Sequence, residues 1–297
     1  MNPVSAASYP ALLEFSELEL RGSPFDQVEH FSLRGSSIAC LGGAVSLVHA
    51  LVDPSSVLRG KLLLQGQSPE EVLRLNRGAY APKRIPLEPG LKTFEALRLS
   101  ARLVNIDKNQ VSDAMKRCGL EDCHNRPLGK LTRLQARLSG LAHGLCGNPE
   151  LVILDDLFDS LSDDESETLA TILATELKGR SWIAALSADC QASRALMLRA
   201  DQLLATSRSQ LLPAIKPDSF DPHSFWVVCL DEAHHLAVRL RQAGADVAES
   251  PRDNALLVVG CTSLHILQHA RELQACIVEL SPSISGEDFP NHATSPP

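Results

Sequence analysis

The sequence predicts an α/β protein with a parallel sheet, followed by a small α+β domain, and three observations support this prediction. Apolar runs such as 37–41 and 151–154 are continuous rather than alternating, as in strands buried on both faces of a parallel sheet. The first run meets Gly42-Gly43 and then a helical pattern over 44–52, which gives a strand, a glycine turn and a helix. Three prolines fall within 213–222, and a new pattern of elements begins after them.

Up to residue 212 the elements follow in a regular order. Residues 12–20 alternate between apolar and polar, as a half-buried strand does. Ser68-Pro69 is a favourable start for a helix, and Gly147-Asn148-Pro149 is a plausible end for one. The predicted strands are 12–20, 37–41, 62–64, 78–81, 151–154, 182–186 and 202–206, and the later helices are 93–104, 110–118, 133–145 and 163–178.

After the prolines, the predicted order is β-α-β-β-α-β, the ferredoxin-like split pattern. The strands are predicted at 225–230, 245–249, 255–260 and 276–280, and the helices at 231–243 and 262–274. We therefore divide the chain into a loose lead, a large domain, a linker, a C-terminal accessory domain and a disordered tail. These segments are 1–10, 11–212, 213–222, 223–289 and 290–297.

Composition excludes several classes of protein. The net charge of −8 argues against a general nucleic-acid binder, because neutralising phosphates needs surplus Lys and Arg. No secretory signal and no apolar run of about 20 residues is present, so we expect a cytoplasmic protein. The eight cysteines are scattered and read as buried, reduced thiols. Cys118, Cys123 and His124 lack a paired C-x-x-C partner, so we expect no metal site.

Five segments in the first 212 residues carry a resemblance to a known family, and their order is more specific than any one of them. They are 60–66, 78–83, 147–150, 151–156 and 159–162. Together with the glycine turn they resemble the ATP-binding subunits of ABC transporters. The segment 276–289 is similar to the end of bacterial drug-export and gliding-motility ATPases. The resemblance implies a P-loop NTPase-like nucleotide-binding domain with a helical subdomain, in which Asp155 ends the Walker B strand and would hold magnesium.

The Walker A loop departs most from the family's pattern. That loop needs glycines whose N–H groups wrap the phosphates, a Lys on the β/γ-phosphates and a Ser or Thr on Mg²⁺. Here residues 42–47 read Gly-Gly-Ala-Val-Ser-Leu, about four residues shorter than the pattern. Ala44 falls at the Lys position and Val45 at the hydroxyl position. Shifting the register to Ser46 does not help, because no Lys lies between Met1 and Gly60.

Other catalytic positions implied by the resemblance are altered as well. Lys83 stands at the Q-loop glutamine position and Ala188 at the switch histidine position. Asp156 occupies the place of the catalytic Glu and is one methylene shorter, so it would aim poorly at an attacking water. Asp155 and Asp156 also have a structural interpretation, which we favour: they end a strand and cap the next turn.

The signature motif, normally Leu-Ser-Gly-Gly-Gln, reads Leu-Thr-Arg-Leu-Gln over 131–135. Thr132 could still offer a hydroxyl, but Arg133 and Leu134 carry side chains where phosphate approaches bare backbone. No catalytic set is therefore intact. The nucleotide-binding remnants are Gly42, Gly43, Ser46, Lys83, Thr132 and Gln135, and the catalytic remnants are Asp155 and Asp156.

The resulting hypothesis is a degenerate, inactive ABC-type subunit with a structural or regulatory role, and no cofactor is expected. Its partners would be a permease, an ATPase-competent ABC subunit or both; dimerisation is plausible, and no nucleic acid is expected. The permease would hold it at the inner face of the membrane. Two alternatives stay open. One is a weak Mg-ATP hydrolase in which Lys61 or Lys83 supplies charge, and the other is a soluble scaffold that has left transport.

Overall fold

The computed structural model of the chain describes residues 11–23, 28–186, 190–207, 210–211, 220–250 and 254–284. The predicted lead 1–10, Ala188, the segment 285–289 and the predicted tail 290–297 lie outside the described residues.

The described elements include the predicted strands and helices in their predicted order, but two strands, Val28–Leu33 and Gln210–Leu211, and one helix, Gln191–Met197, were not predicted. The strands are β1 Leu13–Leu20, β2 Val28–Leu33, β3 Ser37–Cys40, β4 Val57–Leu64, β5 Gly78–Ala81, β6 Leu151–Asp155, β7 Ser181–Ala185, β8 Gln202–Leu204, β9 Thr206–Ser207, β10 Gln210–Leu211, β11 Phe220–Cys229, β12 Asp246–Ser250, β13 Ala255–Val259 and β14 Ile277–Ile284. The helices are α1 Val45–Ala50, α2 Pro69–Arg74, α3 Thr93–Leu103, α4 Lys108–Arg117, α5 Arg133–Leu145, α6 Asp163–Glu176, α7 Gln191–Met197, α8 Ala233–Gln242 and α9 Ser263–Leu273.

The centre of the fold is a parallel sheet with the strand order β5-β6-β7-β3-β8. Every residue of β6 is buried, because the sheet is covered on both faces. One face packs with α1 against the antiparallel sheet β2-β1-β4, and the other packs against α3, α4 and α5. The predicted parallel sheet of an α/β fold is confirmed, and so is the continuous-run argument for its strands.

Two glycines place α5 directly against β5 and the loop that follows it. A Cβ at Gly140 would lie 1.8 Å from the backbone oxygen of Pro82, and one at Gly144 would lie 2.9 Å from the Cβ of Ala81. Larger residues at these positions would push the helix away from the sheet. The close approach therefore fixes the first turns of α5 beside the loop that carries Lys83.

The C-terminal strands form an antiparallel sheet in the order β12-β13-β11-β14, with α8 and α9 packed on one face. This is the predicted ferredoxin-like arrangement. In the structure β11 begins at Phe220, inside the predicted linker 213–222, and pairs this residue with Ile284. Pro222 does not prevent this, since the pairing is irregular between Phe220 and Phe225, and proline is tolerated at such irregularities. The predicted domain limits stay predictions.

Candidate functional site

The glycine turn after β3 is a short 3₁₀ helix, Gly42–Ala44, that continues directly into α1. The backbone N–H of Ala44 donates to the Leu41 carbonyl at 3.1 Å, and the N–H of Val45 donates to the carbonyls of Gly42 and Gly43. The Ser46 hydroxyl also donates to the Gly43 carbonyl, at 2.7 Å. These donors are therefore directed at the turn's own carbonyls. The sequence placed Ala44 in the helix, whereas α1 begins one residue later.

Asp155 ends β6 at the carboxyl edge of the parallel sheet and is almost fully buried. One carboxylate oxygen accepts a hydrogen bond from the Tyr80 hydroxyl at 2.7 Å, and the other lies 3.2 Å from His49 Nε2. Burial, and then the hydrogen bond to Asp155, raises the pKa of Tyr80, so its hydroxyl stays a neutral donor. Both oxygens of this carboxylate thus face side chains of the same chain.

Lys83 lies between two carboxylates that follow the strand. Its Nζ is 3.3 Å from Asp156 Oδ2 and 3.4 Å from Asp159 Oδ2. Burial disfavours the charged amine, but the carboxylates outweigh this effect and raise the pKa of Lys83. Asp156 has a left-handed backbone with φ of +41°, and its carbonyl accepts from the Asp159 N–H at 3.1 Å. The acidic pair does end the strand at a turn, and its side chains also contact residues of other elements.

Arg137 connects the loop after β5 to the segment after β6. Its guanidinium donates to the carbonyls of Lys83 and Asp159, each at 2.9 Å, and only 5% of the residue is exposed. One turn earlier on α5, Arg133 donates to the Ser160 carbonyl at 3.1 Å. The two arginines hold the Lys83 loop and the Asp159 segment against the same helix.

The signature remnants Thr132 and Gln135 form a capping box at the start of α5. The Gln135 N–H donates to the Thr132 hydroxyl at 3.2 Å, and the Thr132 N–H donates to the Gln135 side-chain oxygen at 3.1 Å. Arg126 donates to the same side-chain oxygen at 2.8 Å. A capping box satisfies two of the donors that a helix start leaves open, so both remnants have a structural function here.

The structure thus brings Lys83, Asp155 and Asp156 together, while it uses Ser46, Thr132 and Gln135 in local turns and caps. Sequence reasoning missed His49, Tyr80 and Arg137. Parallel pairing of β5 with β6, with Ala81 opposite Leu154, could have indicated that Tyr80 lies near Asp155. No sequence signal places His49, which is separated from Asp155 by 106 residues.

Within the described residues, no group of three or more His, Cys, Asp and Glu side chains is arranged to hold a metal ion. All eight cysteines are free, and most are buried, including Cys118 and Cys123. Burial raises the pKa of Cys40 and Cys146 to about 12, so these thiols are poor ligands and nucleophiles.

Comparison with known proteins supplies independent evidence. No protein-family model matches the chain. The chain is 28% identical over 162 residues to the SkfA peptide export ATP-binding protein SkfE of Bacillus subtilis, covering 51% of this chain and 68% of that protein. It is 26% identical over 158 residues to the ABC transporter ATP-binding protein YtrE of the same organism, covering 48% and 68%.

Solved structures agree with the curated relatives. CbiO1 from Clostridium perfringens, described as part of the ABC transporter complex cbiONQ, superposes with a TM-score of 0.54 at 17% identity. That match covers 79% of this chain and 98% of the other. The fold is that of an ABC ATP-binding subunit, and the predicted resemblance to ABC transporter ATP-binding proteins is confirmed. No helix among the described residues is long and apolar enough to cross a membrane.

Proposed function

We propose that this chain is a non-catalytic ABC-type subunit that keeps the nucleotide-binding fold and serves a structural or regulatory role in a transporter-type complex. The observation that carries the proposal is the glycine turn. A loop that binds triphosphate presents several backbone N–H groups and a Lys to the phosphates. Here the turn Gly42–Ala44 runs straight into α1, and donors of Ala44, Val45 and Ser46 already bond to its own carbonyls.

The magnesium side of the site supports the same proposal. Mg²⁺ prefers carboxylate oxygens and bound water in octahedral geometry, and it is commonly bound through one or two carboxylates plus substrate phosphates. The oxygens of Asp155 face Tyr80 and His49, and Asp156 faces the amine of Lys83. Placing Mg²⁺ there would bring it against the Lys83 ammonium and would require new partners for these groups. The residues present do not fit Mg-ATP bound in the family's manner.

The expected partners of the chain follow from its altered signature segment and glycine turn. In a head-to-tail dimer each ATP lies between the Walker A loop of one subunit and the signature of the other. Thr132 and Gln135 are committed to the capping box, and Arg133 has a long side chain where the signature is normally glycine. A homodimer of this chain would therefore have no sound ATP site. We propose a permease, an ATPase-competent ABC subunit or both as partners, with a location at the membrane through the permease.

The test of inactivity uses the purified full chain. We expect no Mg²⁺-dependent ATP turnover by the wild type, and no difference between it and Asp155→Asn. Asp164→Asn, an exposed change on α6, is the matched control. Turnover that Asp155→Asn abolishes and Asp164→Asn preserves would overturn the proposal in favour of the weak ATPase.

The proposed role needs a second experiment. Co-expression of the tagged chain with any permease encoded beside it should give a complex that survives detergent extraction and contains that permease. Mass spectrometry of the purified complex identifies the partners. A chain that purifies alone under these conditions would favour the soluble scaffold.

A further inference from the structure

A cavity beside Asp155 and Asp159 is lined by arginines whose charge the proposed function does not use. It lies between the loop after β5, the first turns of α5 and the segment after β6, and all of its lining residues come from 80–86, 133–137 and 155–160. Its volume is about 630 Å³, within the range of small-molecule sites. Four basic and two acidic side chains line it: Lys83, Arg84, Arg133, Arg137, Asp155 and Asp159.

The charges in this cavity do not cancel. Lys83 is paired with Asp156 and Asp159, and Asp155 accepts from Tyr80 and faces His49. The arginines, in contrast, bond mainly to neutral backbone. Arg133 donates to a carbonyl, and Arg137 donates to two carbonyls and comes within 3.8 Å of a carboxylate oxygen of Asp159. Asp156 lies outside the lining but pairs with Lys83, so three carboxylates in all stand against four cations, the fourth being Arg84, which is exposed at the cavity's edge.

The buried arginine carries a second signal. Arg137 Nε is shielded from solvent and has no hydrogen-bond partner in the described part of the chain. Burial lowers the pKa of Arg137, and Asp159 offsets this only in part, because the like charge of Arg84 acts with burial. Because this N–H is shielded, a ligand in the cavity does not reach it, and Arg137 contributes its positive charge instead. Arg84 nearby adds a second cation and so increases the need for an anion.

We infer that this cavity binds a tetrahedral oxyanion, as free phosphate or as a small phosphate ester, with Arg84 and Arg133 as its cationic ligands and Arg137 as an additional buried positive charge. Planar guanidinium groups match phosphate oxygens through paired, charge-assisted hydrogen bonds. The site requires neither Mg²⁺ nor the glycine turn, so it is independent of the proposed loss of ATP hydrolysis. The volume also leaves room for an organic group beyond the phosphate.

Isothermal titration calorimetry on the full chain tests this inference, with inorganic phosphate and glycerol phosphate as probes at constant ionic strength. We expect wild-type binding without Mg²⁺, and affinity about tenfold weaker in Arg84→Gln and in Arg133→Gln, the usual effect of losing a charge-assisted hydrogen bond. Arg102→Gln, an exposed change on α3, should bind like the wild type. Tighter binding of glycerol phosphate would identify an ester as the ligand, and tighter binding of inorganic phosphate would identify the free ion.

The inference is wrong if neither probe binds, if equal ionic strength of chloride gives the same heat, or if both arginine variants bind like Arg102→Gln. Its failure is distinct from failure of the proposed function. The proposed function fails if the chain shows Mg²⁺-dependent ATP hydrolysis that Asp155→Asn abolishes, whereas the phosphate titration contains neither nucleotide nor Mg²⁺.

Discussion

Replacing Lys83 with Met should destabilise the large domain, because it removes the cation shared by two carboxylates and keeps most of the side chain's volume. An ion pair at 3.3 Å is worth about 1.3 kcal/mol in bulk water. Exposed pairs measure only about 0.2–1 kcal/mol, and the side chains of Lys83 and Asp159 are 36% and 43% exposed. Lys83 makes two such pairs, and Asp156 is more buried than Asp159. We therefore expect Lys83→Met to lower the free energy of unfolding by about 1–2 kcal/mol at neutral pH.

The pH dependence of this difference follows from the pKa shifts of both partners. Burial acts against the charged form of Asp159, but Ser160, Lys83 and Arg137 together lower its pKa. The carboxylate therefore stabilises the fold above its unfolded pKa of about 3.8, and this stabilisation is lost as pH falls through the lower folded pKa. The pKa of Lys83 is raised, so its effect is present below the unfolded value of 10.5 and is lost as pH rises through the folded value. The stability difference between wild type and Lys83→Met should therefore be largest between about pH 5 and 9 and shrink on both sides.

Urea unfolding measures this difference. Trp226→Phe leaves Trp182, in the central parallel sheet, as the single tryptophan, so its fluorescence reports on the large domain. Lys178→Met removes an exposed lysine and is the matched control. If Lys83→Met is as stable as the control at pH 7, or if its loss of stability is the same at pH 2 as at pH 7, the assignment of Lys83 as counter-ion is wrong.

Three further predictions concern the elements that frame the site. Gly140→Ala should cost roughly 3 kcal/mol or more in urea unfolding, because its Cβ would meet a backbone oxygen at 1.8 Å; Gly90→Ala, which faces open space, should be nearly neutral. Thr132→Ala should cost about 1 kcal/mol by loss of the cap and leave the fold intact by circular dichroism, and a neutral result would contradict the capping function. In a spectrophotometric titration, the phenol of Tyr80 should ionise well above its ordinary pKa of about 10, and Tyr80→Phe should remove this high-pH transition. A single transition near pH 10 for both tyrosines of the chain would refute the burial of Tyr80 against Asp155.

Local pattern was sufficient for most of the fold. The apolar runs at 37–41 and 151–154 identified strands of the parallel sheet, since a strand buried on both faces must be apolar throughout. The β-α-β-β-α-β order of the C-terminal elements could also be predicted, because strands and helices differ in the spacing of their apolar residues. The beginning of β11 was not, since strand pairing with Ile284 overrides the turn tendency of the surrounding prolines.

The site was less predictable, because its contacts join residues that are far apart in sequence. An expected departure from the Walker A pattern, such as the lack of a Lys in 42–47, can be read from the chain itself. The contacts of the carboxylates after β6 cannot be read in this way. They depend on α5 lying close enough for Arg137 to reach the carbonyls of Lys83 and Asp159. That distance is set by Gly140 and Gly144, whose effect on packing emerges only in three dimensions.

The altered positions are physically coupled, and this coupling bears on whether a single reversion could restore ATP binding. Carboxylates that lie together at one edge of a sheet need positive charge nearby, and on the proposed function the protein itself supplies it. Lys83 provides this charge, and Tyr80 and His49 are further polar partners of the carboxylates. On the proposed function, reverting Lys83 to Gln would remove that charge while leaving the turn Gly42–Ala44 closed on its own carbonyls. Rebuilding the turn alone would place triphosphate and Mg²⁺ beside an amine already paired with Asp156. Each change is unfavourable without the other, so on the proposed function neither change alone would give ATP binding.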